Sequence, residues 1–197
     1  MPAHSPKPLM PGISKLRDIP RAWLSAPAFH LAPMPFTAQR RLLASLTMGP
    51  SRFVSVDPHL PITQETLEDW RQARAEVDAF FPSEDELLLE DTQVHPERVL
   101  PRLATGRLRF IVFKQAARGG ILYDAREDRF HRWLGRASKV IDPTGAGDAF
   151  AAGFVSAHLE GLPVDACLDR GIVSASFAIE GLGAASLLDA TRTGARA

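Results

Sequence analysis

Apolar and polar positions alternate along the chain between short hydrophobic runs and stretches of helical spacing. Residues 52–56 (Arg-Phe-Val-Ser-Val), 77–81 (Val-Asp-Ala-Phe-Phe) and 109–114 (Arg-Phe-Ile-Val-Phe-Lys) are rich in β-branched and aromatic side chains and bounded by polar or proline-containing segments. Such runs predict buried strands. Residues 26–31 predict a further short strand, ended by Pro33 and Pro35. Residues 115–123 read as a turn and a returning strand, and 129–134 as a strand of the edge type. Between these runs, residues 37–46, 63–74 and 95–103 carry apolar positions at helical spacing. Thr37 is an N-cap candidate for the first of these helices, and Thr63-Gln64-Glu65-Thr66 supplies cap chemistry for the second. Residues 150–159 form a helix ended by Gly161-Leu162-Pro163. Residues 164–179 form another, dense in Ala, Ser, Val and Ile on all sides and therefore expected to be buried. Alternating strands and helices imply a layered α/β/α fold with a largely parallel central sheet. In domain terms, 1–22 is a loose proline-rich lead-in, 23–190 the folded portion, and 191–197 a tail expected to be disordered.

One stretch breaks the regular pattern: Asp142-Pro143-Thr144-Gly145-Ala146-Gly147-Asp148-Ala149-Phe150. Val140 and Ile141 predict a short buried strand running into Asp142, which Pro143 and Gly145 then interrupt. From Gly147 onward small and apolar residues predict a tightly packed helix. A glycine-rich turn opening a helix presents free N–H groups at the positive end of the helix dipole, a setting suited to a phosphate. A carboxylate in the first turn would repel a resting phosphate, so Asp148 reads as a proton acceptor facing a reacting group. The plainer alternative is that Asp148 complements the dipole and Asp142 caps the turn. A dinucleotide fingerprint fails because Phe150 stands where the third glycine belongs, and a P-loop fails for want of a nearby lysine. A methyltransferase turn would need an Asn/Asp-Pro-Pro-Tyr motif, which the chain lacks. In the strand at 26–31, the pattern favours packing over a site role for His30.

Length and composition narrow the field without choosing a chemistry. The 197 residues suit one domain with a substantial core. Lys plus Arg and Asp plus Glu both total 23, so net charge gives no drive toward nucleic acid or an anionic membrane. The single cysteine, Cys167, excludes an internal disulfide and fits a reducing cytosol. No apolar run is long enough to cross a bilayer, and residues 1–8 lack the apolar region of a secretory signal. The expected location is cytoplasmic, with neither nucleic acid nor membrane as a partner.

Residues 142–154 resemble the C-terminal signature of the ribokinase-like (PfkB) carbohydrate kinases, D-T-T-G-A-G-D-x-F followed by a small-residue helix, with Pro143 as the chief departure. The resemblance implies ATP-dependent phosphoryl transfer to a hydroxyl of a sugar or nucleoside, with Asp148 as catalytic base. It assigns the backbone of Gly145, Ala146 and Gly147 to the anion hole. The family's N-x-x-E motif falls on Ser83 and Glu86: Glu86 matches the glutamate that helps arrange Mg²⁺ and the phosphates, and Ser83 replaces the asparagine. Read alone, Ser83 and Glu86 form a capping box. A nucleotide-bordering loop, roughly T/K-x-G-x-x-G in the family, maps onto Lys114, Arg118 and Gly119, with Ala116 at the first glycine. A plain β-hairpin explains those residues equally well. A monovalent cation, K⁺, is implied near Asp142 and the carbonyl of Thr144, with Ala178, Gly181, Gly183 and Ser186 as weaker candidates.

The family's N-terminal Gly-Gly…Asn signature, sugar-binding aspartate and β-strand lid have no counterpart here. Gly119-Gly120, the only such pair, runs into a strand. The expectation is the nucleotide-binding, catalytic-base half of a ribokinase-like kinase, as a fragment or from a misplaced start. Such a chain would bind ATP weakly, phosphorylate no sugar at a useful rate, and expose a sheet edge that favours homo-oligomers. The competing expectation is a catalytically silent nucleotide-binding or interaction module.

Overall fold

The computed structural model describes residues 15–48, 52–92, 94–136 and 139–182. Among them, six strands form one sheet in the order β1 to β6. Strands β1 (Ala28–Leu31), β2 (Phe53–Val56), β3 (Ala79–Phe80) and β4 (Phe110–Lys114) run parallel. Strands β5 (Gly120–Asp124) and β6 (Arg129–Trp133) return antiparallel, pairing Val112 with Leu122 and Leu122 with His131. The sheet is thus largely parallel, with a hairpin extension at one edge.

Helices cover both faces, and the pleat explains how a continuous apolar strand serves them. In β4, Ile111 and Phe113 enter one core while Phe110 and Val112 enter the other, because successive side chains leave opposite faces. The first core packs under α1 (Phe36–Thr47), α2 (Leu67–Ala75) and α3 (Pro96–Leu103). The second packs under α4 (Ala146–Leu159) and α5 (Val164–Ile179). Phe154 of α4 meets Phe81 and Phe110 edge-on, at centroid distances of 5.6 and 5.4 Å. Helices α4 and α5 touch where Gly153 removes a side chain: a Cβ there would lie 2.6 Å from Ser174 Oγ and 2.7 Å from the Arg170 carbonyl. This close packing fixes where α4 begins relative to the sheet.

Several expectations need correction. Val140 and Ile141 form no strand and are 60% and 52% exposed. Their segment is tied to the end of α5 instead, where the Ile179 carbonyl accepts the N–H groups of Ile141 and Asp142 at 2.7 and 3.3 Å. Helix α4 starts at Ala146 rather than at Gly147. Helix α5 has the expected bounds but is not buried all round; Cys167, Leu168, Gly171 and Ala178 are its buried residues. Helix α2 starts at Leu67, because Thr63 to Thr66 close a turn in which the Thr63 N–H donates to Thr66 Oγ1 at 3.0 Å. Residues 87–89 are not helical; Leu87 bridges Ile62 in parallel. The described part of the lead-in holds short 3-10 helices at Leu16–Asp18 and Arg21–Ser25. Among the described residues, no helix is long and apolar enough to cross a membrane.

Candidate active site

The C-terminal ends of parallel strands all point to one edge of a sheet, where α/β proteins gather their ligands. Here that edge receives His30 from β1, Asp57 directly after β2, Lys114 from the end of β4, and the turn that opens α4.

The turn is shaped by its own backbone. The Thr144 N–H donates to Asp142 Oδ1 at 2.9 Å, an Asx turn. The Ala146 N–H donates to the Pro143 carbonyl at 3.2 Å, and the Ala149 N–H to the Gly145 carbonyl at 2.9 Å. Gly145 is the N-cap, with φ of 83°, a left-handed conformation that a β-carbon disfavours. A Cβ on Gly145 would meet nothing within 4 Å, so the turn faces open space. Asp148 lies in the first turn of α4 and is exposed. Partial burial raises its carboxyl above the usual carboxylate range, and the Lys114 ammonium acts in the opposite direction.

Beside the turn lies a buried polar cluster. Asp57 is 2% exposed, held at the end of β2 because its N–H donates to the Leu31 carbonyl at 2.9 Å and its carbonyl accepts from Gln39 Nε2 at 2.6 Å. Its Oδ2 accepts from Lys114 Nζ, while its Oδ1 is buried with no partner. Burial pushes the Asp57 carboxyl up to about 7 against the pull of Lys114, and Glu86 and Asp148 add to the rise. His30 sets its ring edge against Phe81, 5.7 Å between centroids. Its Nδ1 lies 2.9 Å from Ser55 Oγ, and its Nε2 is buried with no partner. Burial, then Lys114, lowers the imidazole to about 4, so the ring is neutral. Ligating atoms of His30, Asp57 and Asp148 all lie within 4.8 Å of one another. The turn and the cluster meet at Gly147, where a Cβ would sit 3.1 Å from Lys114 Nζ and 3.5 Å from Asp57 Oδ2.

Other candidate residues lie at varying distance from this centre. Ser83 donates from its N–H and its Oγ to Glu86 Oε2, at 2.8 and 2.7 Å. That pair is laced to Lys114 through the backbone: the Lys114 N–H donates to Pro82 and the Glu84 N–H to the Lys114 carbonyl, both at 2.9 Å. Arg118 is exposed and bonds Glu84. Gly119 is fixed by the hairpin, with φ of 94° and a hypothetical Cβ only 2.1 Å from the Trp133 carbonyl. Ala116, in the first-glycine position of that loop, has φ of 49°. Ala178 is buried next to Ile179, whose carbonyl anchors Asp142; Gly181 follows the end of α5. Gly183 and Ser186 lie outside the described residues. Sequence reasoning missed Asp57 and Ser55 and gave His30 to packing. The only available signal was an acid directly after an apolar strand, Asp57-Pro58.

A family model described as pfkB family carbohydrate kinase matches residues 48–191. A cytidine kinase of Thermococcus kodakarensis is 29% identical over 158 residues, covering 78% of this chain and 55% of that protein. The acarbose 7(IV)-phosphotransferase of an Actinoplanes species is 32% identical over 144 residues, covering 69% of this chain and 45% of that protein. Among solved structures, a putative ribokinase II from E. coli in complex with ATP and Mg²⁺ superimposes with a TM-score of 0.63 at 21% identity, covering 80% of this chain and 53% of that one. The chain spans about half the length of the curated relatives it matches.

Proposed function

The chain belongs to the pfkB family of carbohydrate kinases, and from that premise we propose that it binds ATP and transfers the γ-phosphoryl group to a hydroxyl of a sugar or nucleoside. The observation that carries this reading is Asp148, an exposed carboxylate in the first turn of a helix whose glycine N-cap faces open space. The backbone N–H groups of Gly145 and Gly147 are the anion-hole donors at this helix start, joined by that of Ala146 once it leaves the Pro143 carbonyl. The Lys114 ammonium lies adjacent to Gly147, paired with the buried Asp57, and sets the electrostatics beside the turn. Asp148 takes the proton of the attacking hydroxyl; burial raises its pKa and so strengthens it as a base. Mg²⁺ carried with ATP would neutralise charge between the phosphates, and Ser83 and Glu86, laced to the end of β4, would help hold it. Asp142 and the Thr144 carbonyl are the residues that would hold a potassium ion beside the turn.

Relatives act on cytidine and on acarbose, which supports a hydroxyl acceptor without selecting one. Residues 1–197 are expected to turn over slowly, because holding an acceptor in line can supply about 7–11 kcal/mol of the barrier and no acceptor-holding groups are assigned in this chain. The test is a radiometric assay of label transfer from γ-labelled ATP to a panel of nucleosides and sugars, with ATP binding measured in parallel. Labelled product with at least one acceptor is expected. ATP binding without transfer to any acceptor would overturn the reading in favour of a silent nucleotide-binding module.

A further inference from the structure

We propose that His30, Asp57 and Asp148 form a binding site for a divalent transition-metal ion of the Mn²⁺ type, separate from the magnesium carried by ATP. The ligating atoms of the three residues already lie within 4.8 Å of one another, a small adjustment from the spread of one coordination sphere. Two of those residues are short of partners: Asp57 Oδ1 and His30 Nε2 are both buried without a hydrogen bond. Asp57 is 2% exposed, so its free oxygen has no recourse to water.

The surroundings orient these atoms as ligands. Ser55 Oγ lies 2.9 Å from His30 Nδ1 and 3.5 Å from the Phe29 carbonyl, so a hydroxyl that donates to Phe29 can accept from His30 Nδ1–H. That tautomer puts the imidazole lone pair on Nε2, an arrangement typical of metal-binding histidines. Lys114 takes Asp57 Oδ2, and Oδ1 is left buried without a partner. Asp148 and Glu86 add negative potential at Asp57, which favours a cation there against the opposing Lys114 ammonium. One nitrogen and two carboxylate oxygens suit Mn²⁺ better than Mg²⁺, which favours an all-oxygen shell with several waters. Asp148 is exposed, so an ion held by these three residues would be reached from the Asp148 side. This site deepens the kinase reading only by sharing Asp148: an ion there would engage the carboxylate proposed as base.

The test uses Mn²⁺ alone, with no nucleotide and no turnover, so its outcome is independent of the kinase assay. Mn²⁺ binding is followed by electron paramagnetic resonance, with electron spin echo detection of ¹⁴N coupling. One ion per chain is expected, showing imidazole coupling that vanishes in His30→Gln. Affinity should fall at least about 10-fold in His30→Gln and Asp57→Asn, and about 10-fold in Ser55→Ala, which removes only the orienting partner. Thermal melts in chelator identify any variant that does not fold, and Ser55→Ala leaves all three ligands in place if the others fail. No Mn²⁺ bound at millimolar concentration, binding without nitrogen coupling, or affinity unchanged in Ser55→Ala and in the folded ligand variants would overturn the site.

Discussion

Two regions meet at Gly147 and could hardly be less alike. The turn at 142–148 is a contiguous stretch of backbone, exposed along most of its length, with a glycine N-cap facing empty space. The cluster of His30, Ser55, Asp57 and Lys114 is assembled from three strands, largely enclosed, and held by side-chain bonds. The turn bonds several of its own N–H groups and exposes the Asp148 carboxylate. The cluster stores polar atoms that solvent does not reach. One region is therefore suited to a substrate that comes and goes, while the other sets the electrostatics beside it. Stability should respond to changes in the cluster and hardly at all to changes in the turn.

The largest stability effect should come from Lys114→Met. It removes the one cation bonded to Asp57 and leaves a second buried carboxylate oxygen unpaired, at a cost of about 1–3 kcal/mol. Urea unfolding at neutral pH reads this directly, and a change below about 0.5 kcal/mol would show that the pair is solvated.

Next comes a pair of opposed pH slopes, measured in chelator. Asp57 has a folded pKa raised to about 7 from 3.8, so its contribution is full at low pH and lost as pH rises toward 7. His30 has a folded pKa lowered to about 4 from 6.5, so its contribution is present above 6.5 and lost as pH falls toward 4. Between those limits the two slopes cancel. Asp57→Asn should make stability rise with pH across this window and His30→Gln should make it fall, each by at most about 1.4 kcal/mol per pH unit. Parallel slopes in the two variants would contradict the opposed shifts.

A smaller effect lies on the hairpin beside Lys114. Ala116 has φ of 49°, where an L-residue loses roughly 1–2 kcal/mol. Ala116→Gly should relieve that strain less the added chain entropy, for a gain of up to about 1 kcal/mol in thermal or urea unfolding. A loss would show that the alanine methyl group packs usefully. The smallest effect is expected in the turn itself: Thr144→Ala should stay within about 0.5 kcal/mol of wild type, and a larger loss would mean that the turn is more rigidly built than its exposure implies.

How legible each region was follows from the same contrast. The glycine turn that opens α4 was readable because its signal lies in consecutive residues. Strand β4 was readable because five apolar or basic residues in a row serve two cores, and α5 because its composition and flanking Pro163 mark one uninterrupted helix. Val140 and Ile141 misled because two β-branched residues look like a strand, while the actual hydrogen-bond partner of Ile141 and Asp142, the Ile179 carbonyl, lies far along the chain. The Ser83–Glu86 pair makes only half of a capping box, with both the Ser83 N–H and its hydroxyl donating to Glu86 Oε2, and Leu87 bridges Ile62 instead of starting a helix. His30, Asp57 and Lys114 carry no local pattern that links them. Parallel topology brings their strand ends to one edge, and only tertiary structure reveals that Lys114 spends its charge on Asp57.

The central claim is that Asp148 accepts a proton rather than binding phosphate, and the direct measurement is ATP affinity alongside label transfer for Asp148→Asn. The amide keeps the shape of the helix start, removes the base, and takes away a charge that repels ATP. Transfer should fall by about 10²–10⁴-fold while ATP affinity stays the same or rises. Unchanged transfer, or ATP binding lost together with it, would contradict the account.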